Sequence, residues 1–271
     1  MTKEISFSKI YIRGQKNHCF DLEDRNMSDL KAIILAAGKG TRMKSDLPKV
    51  VHTIDGKCLA DYVIEAAKGA EVKDICLVVG YKKEIVEESI RNQNVVYAEQ
   101  KEQLGTGHAV KCAKDFLKED GCTMILFGDT PLITAKTLKN LYQYHIENKN
   151  AVTVLSSYIE DPTGYGRIIR DADHAFTKSV EHKDATEEER QIKEINSGMY
   201  VFNTKHLREA LELITPNNAQ GEYYLPDTLT IIKAKGLKVD AYMLQDPTDI
   251  TGVNDQEQLA FAAKIIQSRN A

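Results

Sequence analysis

The sequence predicts an α/β protein in which a mostly parallel sheet flanked by helices carries a smaller mixed or antiparallel part. Three observations predict it. Between Lys31 and Asp129, short apolar runs alternate with amphipathic stretches, the signature of parallel strands buried on both faces and joined by crossover helices. Beyond Asn150, strand-like segments follow one another with only turns between them, as antiparallel pairing requires. The length of 271 residues suffices for a sizeable core, as one large domain or two small ones.

Taken in order, residues 1–27 read as an N-terminal extension or linker. Ile5, Phe7, Ile10 and Ile12 alternate weakly, a polar stretch follows, and Met27 is a candidate for the true start. The main domain is assigned to 28–254 and a C-terminal helix to 255–271. "KAIILAA" (31–37) is a buried strand, and "KCLADYVIEAAKGAE" (57–71) has apolar residues at helical spacing. Strand "DICLVVG", helix "KKEIVEESIR", strand "NVVYAEQ", helix "TGHAVKCAKDFLKE" and strand "CTMILFGD" continue the alternation to Asp129. In the second half, "AVTVLSSYIE", "GRIIRD", "AFTKSVEH" and "EINSGMYVFN" read as strands. "KHLREALELI" and "YLPDTLTIIKAKG" read as helices, "KVDAYML" as a strand and "NDQEQLAFAAKIIQSR" as the closing helix.

Composition narrows the function. With 36 basic against 40 acidic side chains the net charge is −4, which does not suggest a nucleic-acid or anionic-membrane partner. An anionic ligand would need locally placed cations. No apolar run approaches a membrane span, and the N-terminus lacks the apolar stretch of a secretion signal. The five cysteines (Cys19, Cys58, Cys76, Cys112 and Cys122) form no CxxC and no zinc spacing. A reducing cytoplasm and no structural metal are expected.

Ligands of parallel α/β sheets bind beyond the carboxyl ends of the strands, and the loops there are informative. "LAAGKGTRMKSDLPK" is neither GxGxxG nor GxxxxGK[ST]. Gly38 and Gly40 allow backbone N–H groups to approach phosphate oxygens, Arg42 offers a rigid fork and Lys49 a mobile point charge. "EQLGTGHA" brings Gln103, Gly105 and Thr106 close behind Gln100. An amide can read a nucleobase edge, although Thr106 alone reads more simply as a helix N-cap. "MILFGDTPL" puts Asp129 at a strand tip, where a carboxylate suits Mg²⁺ or merely opens a turn. In the second half Gly166, Glu181, and Asn196 with Ser197 beside Gly198 suit hydrogen bonds to sugar hydroxyls and an acylamino group. "GVND" before the closing helix reads as an N-cap.

Together, "LAAGKGTRMKSDLPKVVH", "EQLGTGHA", "GDTPL", "DPTGYGRI", "VEHKDA", "EINSGMYVF", "NNAQGEYYLPD" and "GVND" resemble the bacterial N-acetylglucosamine-1-phosphate uridylyltransferases. More narrowly, they are similar to the N-terminal half of the bifunctional enzyme that makes UDP-N-acetylglucosamine. The resemblance covers about residues 28–270. It implies a Rossmann-like nucleotidyltransferase fold, transfer of uridylyl from UTP to N-acetyl-α-D-glucosamine 1-phosphate, and Mg²⁺ as cofactor. By position it implies that Leu35, Ala36, Ala37 and Gly38 follow the nucleotide with main-chain contacts, and that Gln100, Gly105 and Thr106 read the uracil. Arg42 and Lys49 would hold the triphosphate. Phe127, Gly128, Gly166, Glu181 and Asn196 would bind the sugar, and Asp129 and Asn254 the metal. Catalysis would rest on Arg42, Lys49 and Asp129.

The sequence ends at Ala271 without the hexapeptide repeats of the bifunctional enzyme, so acetyltransfer is not predicted. Phe127 stands where some relatives carry an aromatic hydroxyl. The expected partners are small-molecule substrates, not nucleic acid or membrane; a homo-oligomer of undefined state is compatible. Left open are a uridylyl- or thymidylyltransferase for another sugar 1-phosphate, and a non-catalytic sugar-nucleotide-binding module. A nicotinamide-dependent oxidoreductase would need GxGxxG after the first strand and an acid about 20 residues on.

Overall fold

The computed structural model describes residues 30–270. The extension, its candidate strand and Met27 lie outside the described residues. In chain order the elements are β1 (Leu30–Leu35), β2 (Thr53–Ile54), β3 (Lys57–Cys58), α1 (Leu59–Gly69), β4 (Asp74–Val79), α2 (Lys83–Ser89) and β5 (Val96–Glu99). Then come α3 (Thr106–Cys112), β6 (Cys122–Phe127), α4 (Ala135–Glu147), β7 (Val152–Tyr158), β8 (Gly166–Arg170), β9 (Phe176–Val180) and α5 (Glu187–Arg190). Last are β10 (Glu194–Asn203), α6 (Thr204–Leu211), α7 (Asp227–Ala234), β11 (Val239–Leu244) and α8 (Gln256–Asn270).

The main sheet runs β11-β7-β10-β6-β1-β4-β5. β6, β1, β4 and β5 pair in parallel, as do β7 and β11. β10 lies antiparallel between β6 and β7 and continues into antiparallel β8 and β9. The predicted α/β architecture holds, and the antiparallel part grows from the far half of β10.

The period-2 alternation of β1 explains why it reads as continuously apolar. Leu30, Ala32 and Ile34 pack with Val63, Ile64 and Ala67 of α1 and Leu138, Leu141 and Tyr142 of α4. Ile33 and Leu35 face the other layer, with Ala109 and Val110 of α3, Leu207 and Leu211 of α6, and Leu229 and Ile232 of α7. A third cluster seats Ala262 and Ile266 of α8 on Met43, Ile54, Leu59 and Leu132. Burial pushes the Cys76 thiol up to about 12, so it behaves as a small hydrophobe.

Several elements differ from the sequence reading: β2, β3 and α5 are additions, and three helices differ more. α4 is an addition, started by the Thr134 hydroxyl accepting from the Thr137 N–H. The helix expected over 106–119 stops at Cys112 and continues as a 3₁₀ turn over Lys114–Leu117. The helix of "YLPDTLTIIKAKG" begins at Asp227, because Pro226 offers no N–H and sits naturally at a helix start. Among the described residues, no helix is long and apolar enough to cross a membrane.

Candidate active site

Gly40 has φ +66, and a Cβ there would lie 2.6 Å from the Lys49 Cβ, so only glycine lets the loop after β1 close on Lys49. The 3₁₀ turn Thr41–Met43 buries Met43 and leaves Arg42 exposed. Pro48 starts the next turn, Lys49–Val51, whose Val50 and Val51 are buried. Lys49 is thereby anchored on both sides and aimed back over the end of β1.

Its ammonium group meets two oxygens distant in sequence. Nζ donates to Asn254 Oδ1 at 2.8 Å and is ion-paired with the Asp129 carboxylate. Asp129 sits just past β6, and its carbonyl accepts from the Val253 N–H at 2.8 Å, which fixes the Asn254 segment beside it. Asn254 is not the helix cap. That role falls to Asp255, whose Oδ1 accepts from the Gln258 N–H at 2.8 Å, while Gln258 Oε1 accepts from the Asn254 N–H at 2.7 Å. The one-residue displacement frees the Asn254 side chain to face Lys49. A carboxylate and an amide oxygen converging on one cation form an all-oxygen pair, the donor type Mg²⁺ takes when phosphates and water complete its shell. Among the described residues there is no group of three or more His, Cys, Asp or Glu side chains placed to hold a metal.

Leu35, Ala36, Ala37, Gly38, Lys49, Gln100, Gly105, Thr106, Phe127 and Asp129 line one cavity of about 310 Å³. Thr106 is not a helix cap: its hydroxyl accepts from the Leu225 N–H at 3.1 Å. Gly107 N–H to Tyr223 O and Tyr223 N–H to Leu104 O, both 2.8 Å, stitch the same segment along the turn. A Cβ on Gly105, at φ +106, would lie 2.6 Å from the Tyr223 carbonyl. Close backbone docking thus demands glycine there, independently of any base.

Thr106 and Phe127 also line a second cavity of about 230 Å³, with Gly166, Glu181 and Asn196. The Phe127 ring packs on Gly198, where a Cβ would come within 2.5 Å of it. Asn196 is held within the protein: its amide donates to Ser179 Oγ and Tyr200 OH, and its oxygen accepts from the Gly198 N–H. Glu181 lies beside Gly166, and burial, with Asp184 and Asp227 nearby, pushes its carboxyl above the usual range. Gly128 lines neither cavity; its N–H donates to Leu35 O at 2.9 Å and ties β6 to β1.

Sequence reasoning assigned no role to Glu222 in the first cavity, nor to Tyr165 and Tyr200 in the second. All three lie inside quoted motifs, "DPTGYGRI", "NNAQGEYYLPD" and "EINSGMYVF", which is the available signal. Arg167 is almost fully buried; its guanidinium donates to the Tyr165 and Arg190 carbonyls, pinning the loop that carries Tyr165.

Two adjoining cavities that share Thr106 and Phe127, the larger with Lys49 and Asp129 in its wall, define an α/β protein shaped for two polar ligands side by side. The profile of the family described as "Nucleotidyl transferase" matches residues 31–255, and the chain belongs to that family. The bifunctional protein GlmU of Clostridioides difficile (strain 630) is 50% identical over 241 residues, covering 89% of this chain and 52% of the relative. The protein of the same name from Caldanaerobacter subterraneus subsp. tengcongensis is 53% identical over 243 residues, 90% of this chain and 53% of the relative. The chain thus spans about half the length of the curated relatives it matches. Its fold is also that of a UDP-glucose pyrophosphorylase complexed with UDP-glucose, with TM-score 0.70 and 22% identity over 88% of this chain and 98% of that one.

Proposed function

We propose that the protein transfers uridylyl from UTP to N-acetyl-α-D-glucosamine 1-phosphate, releasing diphosphate and forming UDP-N-acetylglucosamine. The observation that carries this reading is the meeting of Lys49, Asp129 and Asn254 at the wall of the larger cavity, which Lys49 and Asp129 line. The nucleotide would occupy the larger cavity along Leu35–Gly38 and Gln100–Thr106, and the sugar the smaller one.

The sugar phosphate is already an anion, so the reaction needs charge neutralisation more than a base. Two unit charges about 4 Å apart repel by about 4 kcal/mol at an effective dielectric of about 20. Arg42 and Lys49 would offset that repulsion, the backbone after β1 would orient the triphosphate, and the remainder is positioning for in-line attack on the α-phosphorus. Asp129 and Asn254 are the residues that would hold Mg²⁺, which when bound supplies a further positive charge to the phosphates. On binding nucleotide, Lys49 would leave the two oxygens it bridges and turn to phosphate.

The test is a panel of four nucleoside triphosphates against several sugar 1-phosphates, read by diphosphate release. UTP with N-acetylglucosamine 1-phosphate is expected to exceed every other pair by about tenfold or more. A different best pair would overturn the substrate assignment, and no turnover with any pair would leave a binding module.

Glu181 gives a second expectation. Burial holds its carboxyl above the ordinary 4.5, so the folded protein keeps this proton more tightly than the unfolded chain. Stability present below the ordinary value is therefore lost as pH rises through the folded value. Glu181→Gln is expected to raise Tm at neutral pH, with the gain fading below the ordinary carboxylate range. It is also expected to raise the KM for the sugar phosphate about tenfold through loss of a charged acceptor. Thermal melts across pH and steady-state kinetics check both.

A further inference from the structure

We infer that His108 sets the base preference of the nucleotide cavity by locking the amide of Gln100; this rests on the uridylyl-transfer reading above. Gln100 is buried just past the end of β5 and lines the cavity. Its Nε2 lies 3.1 Å from the Gly105 carbonyl oxygen and 3.1 Å from His108 Nδ1. A carbonyl oxygen only accepts, so the atom facing Gly105 is the amide nitrogen. Its second N–H then points at His108 Nδ1, which must present a lone pair. The imidazole proton therefore sits on Nε2, and Cys112 Sγ lies 3.9 Å from that atom, one helical turn further along α3.

Both Gln100 donors are consumed in this way. Among the described residues its Oε1 receives no hydrogen bond, so the polar atom left for the cavity is an acceptor. Uracil and cytosine are nearly the same size, and a cavity wall separates them poorly by shape. They differ at N3, a donor in uracil and a lone pair in cytosine. An Oε1 held outward satisfies the first and repels the second. Turning the amide over would set its oxygen against the Gly105 carbonyl and would force the His108 proton from Nε2, beside Cys112 Sγ, to Nδ1. His108 touches Gln100 and is not among the residues lining the cavity, so it is a positioning residue.

The test measures UTP and CTP binding by calorimetry without sugar phosphate, for the parent, His108→Phe, His108→Leu and His108→Asn. The parent is expected to prefer UTP. His108→Phe and His108→Leu remove the acceptor, and the UTP:CTP affinity ratio should fall about tenfold. His108→Asn can return an acceptor near the Nδ1 position and should keep the ratio within about threefold of the parent. In turnover assays the loss should appear in KM for UTP, with kcat at saturation little changed. Two apolar variants guard against one failing to fold, and melting curves identify which to use. A parent without preference between UTP and CTP, an unchanged ratio in the folded apolar variants, or an equal loss in His108→Asn would overturn the inference. A parent that prefers UTP in binding yet releases no diphosphate with any sugar phosphate would instead defeat only the transferase reading.

Discussion

Asp129→Ala is expected to lower turnover by about a thousandfold or more and to flatten its dependence on magnesium. The carboxylate is one of two protein oxygens converging on the same cation, and the other, Asn254 Oδ1, carries no formal charge. Losing it takes away a ligand and the negative charge that would attract the metal. Metal-borne charge stabilisation is worth several kcal/mol, and each 1.36 kcal/mol is a decade of rate. The pair of Lys49 and Asp129 is mostly shielded from water, with side-chain exposures of 16% and 18%, so the substitution also unpairs a partly buried ammonium. A modest fall in Tm should therefore accompany the kinetic loss. Asp129→Asn separates the two effects: it keeps an oxygen in place without the charge, and its turnover should stay well below the parent's. Diphosphate release followed through a magnesium titration of parent and both variants is the measurement. Near-parental turnover with an unchanged magnesium midpoint would remove Asp129 from the reaction.

The parts of this molecule legible in its sequence are those whose information is local. β1, β4 and β6 were readable because burial on both faces leaves unbroken apolar runs. α4 was harder. Its buried stripe is Thr137, Leu138, Leu141, Tyr142 and His145, so three of the five inward residues carry polar atoms and the periodicity looks thin. His145 is tolerable there only because its Nδ1 meets the Thr153 hydroxyl at 2.9 Å; burial lowers its pKa to about 4. The placement of β10 between β6 and β7 depends on pairings remote in the chain, such as Tyr200 with Ile125 and with Val154. No local pattern encodes such pairings.

The candidate site divides in the same way. Glycine-rich turns and isolated cations marked the loops, but Lys49 and Asn254 stand 205 positions apart. Only the resemblance placed them together. Local reasoning cast Thr106 and the "GVND" stretch as helix caps, the commonest use of such residues. Thr106 instead serves Leu225, 119 positions away, whereas the second stretch does supply the cap, through its Asp255.

Arg42→Ala is expected to cut turnover about a hundred- to a thousandfold while leaving Tm within about a degree of the parent, the size of effect seen when one preorganised donor to transition-state charge is removed. Arg42 is exposed, and among the described residues it makes no hydrogen bond or ion pair with the protein. Surface substitutions with no such partner cost little stability. Its position is nonetheless fixed, because the adjacent Met43 is buried in the cluster beneath α8. Its charge also reaches the cleft: the Tyr165 hydroxyl, pushed up chiefly by burial and then by Asp129, is drawn back down by Arg42. A cation whose charge reaches Tyr165 but that is unpaired among the described residues has no evident structural duty, and the arriving phosphates are its natural partner. Arg42→Lys should recover only part of the loss, since an ammonium lacks the planar fork that engages two phosphate oxygens at once. If Arg42→Ala turned over at the parental rate, the charge of the meeting phosphates would have to be carried by Lys49 and the metal alone.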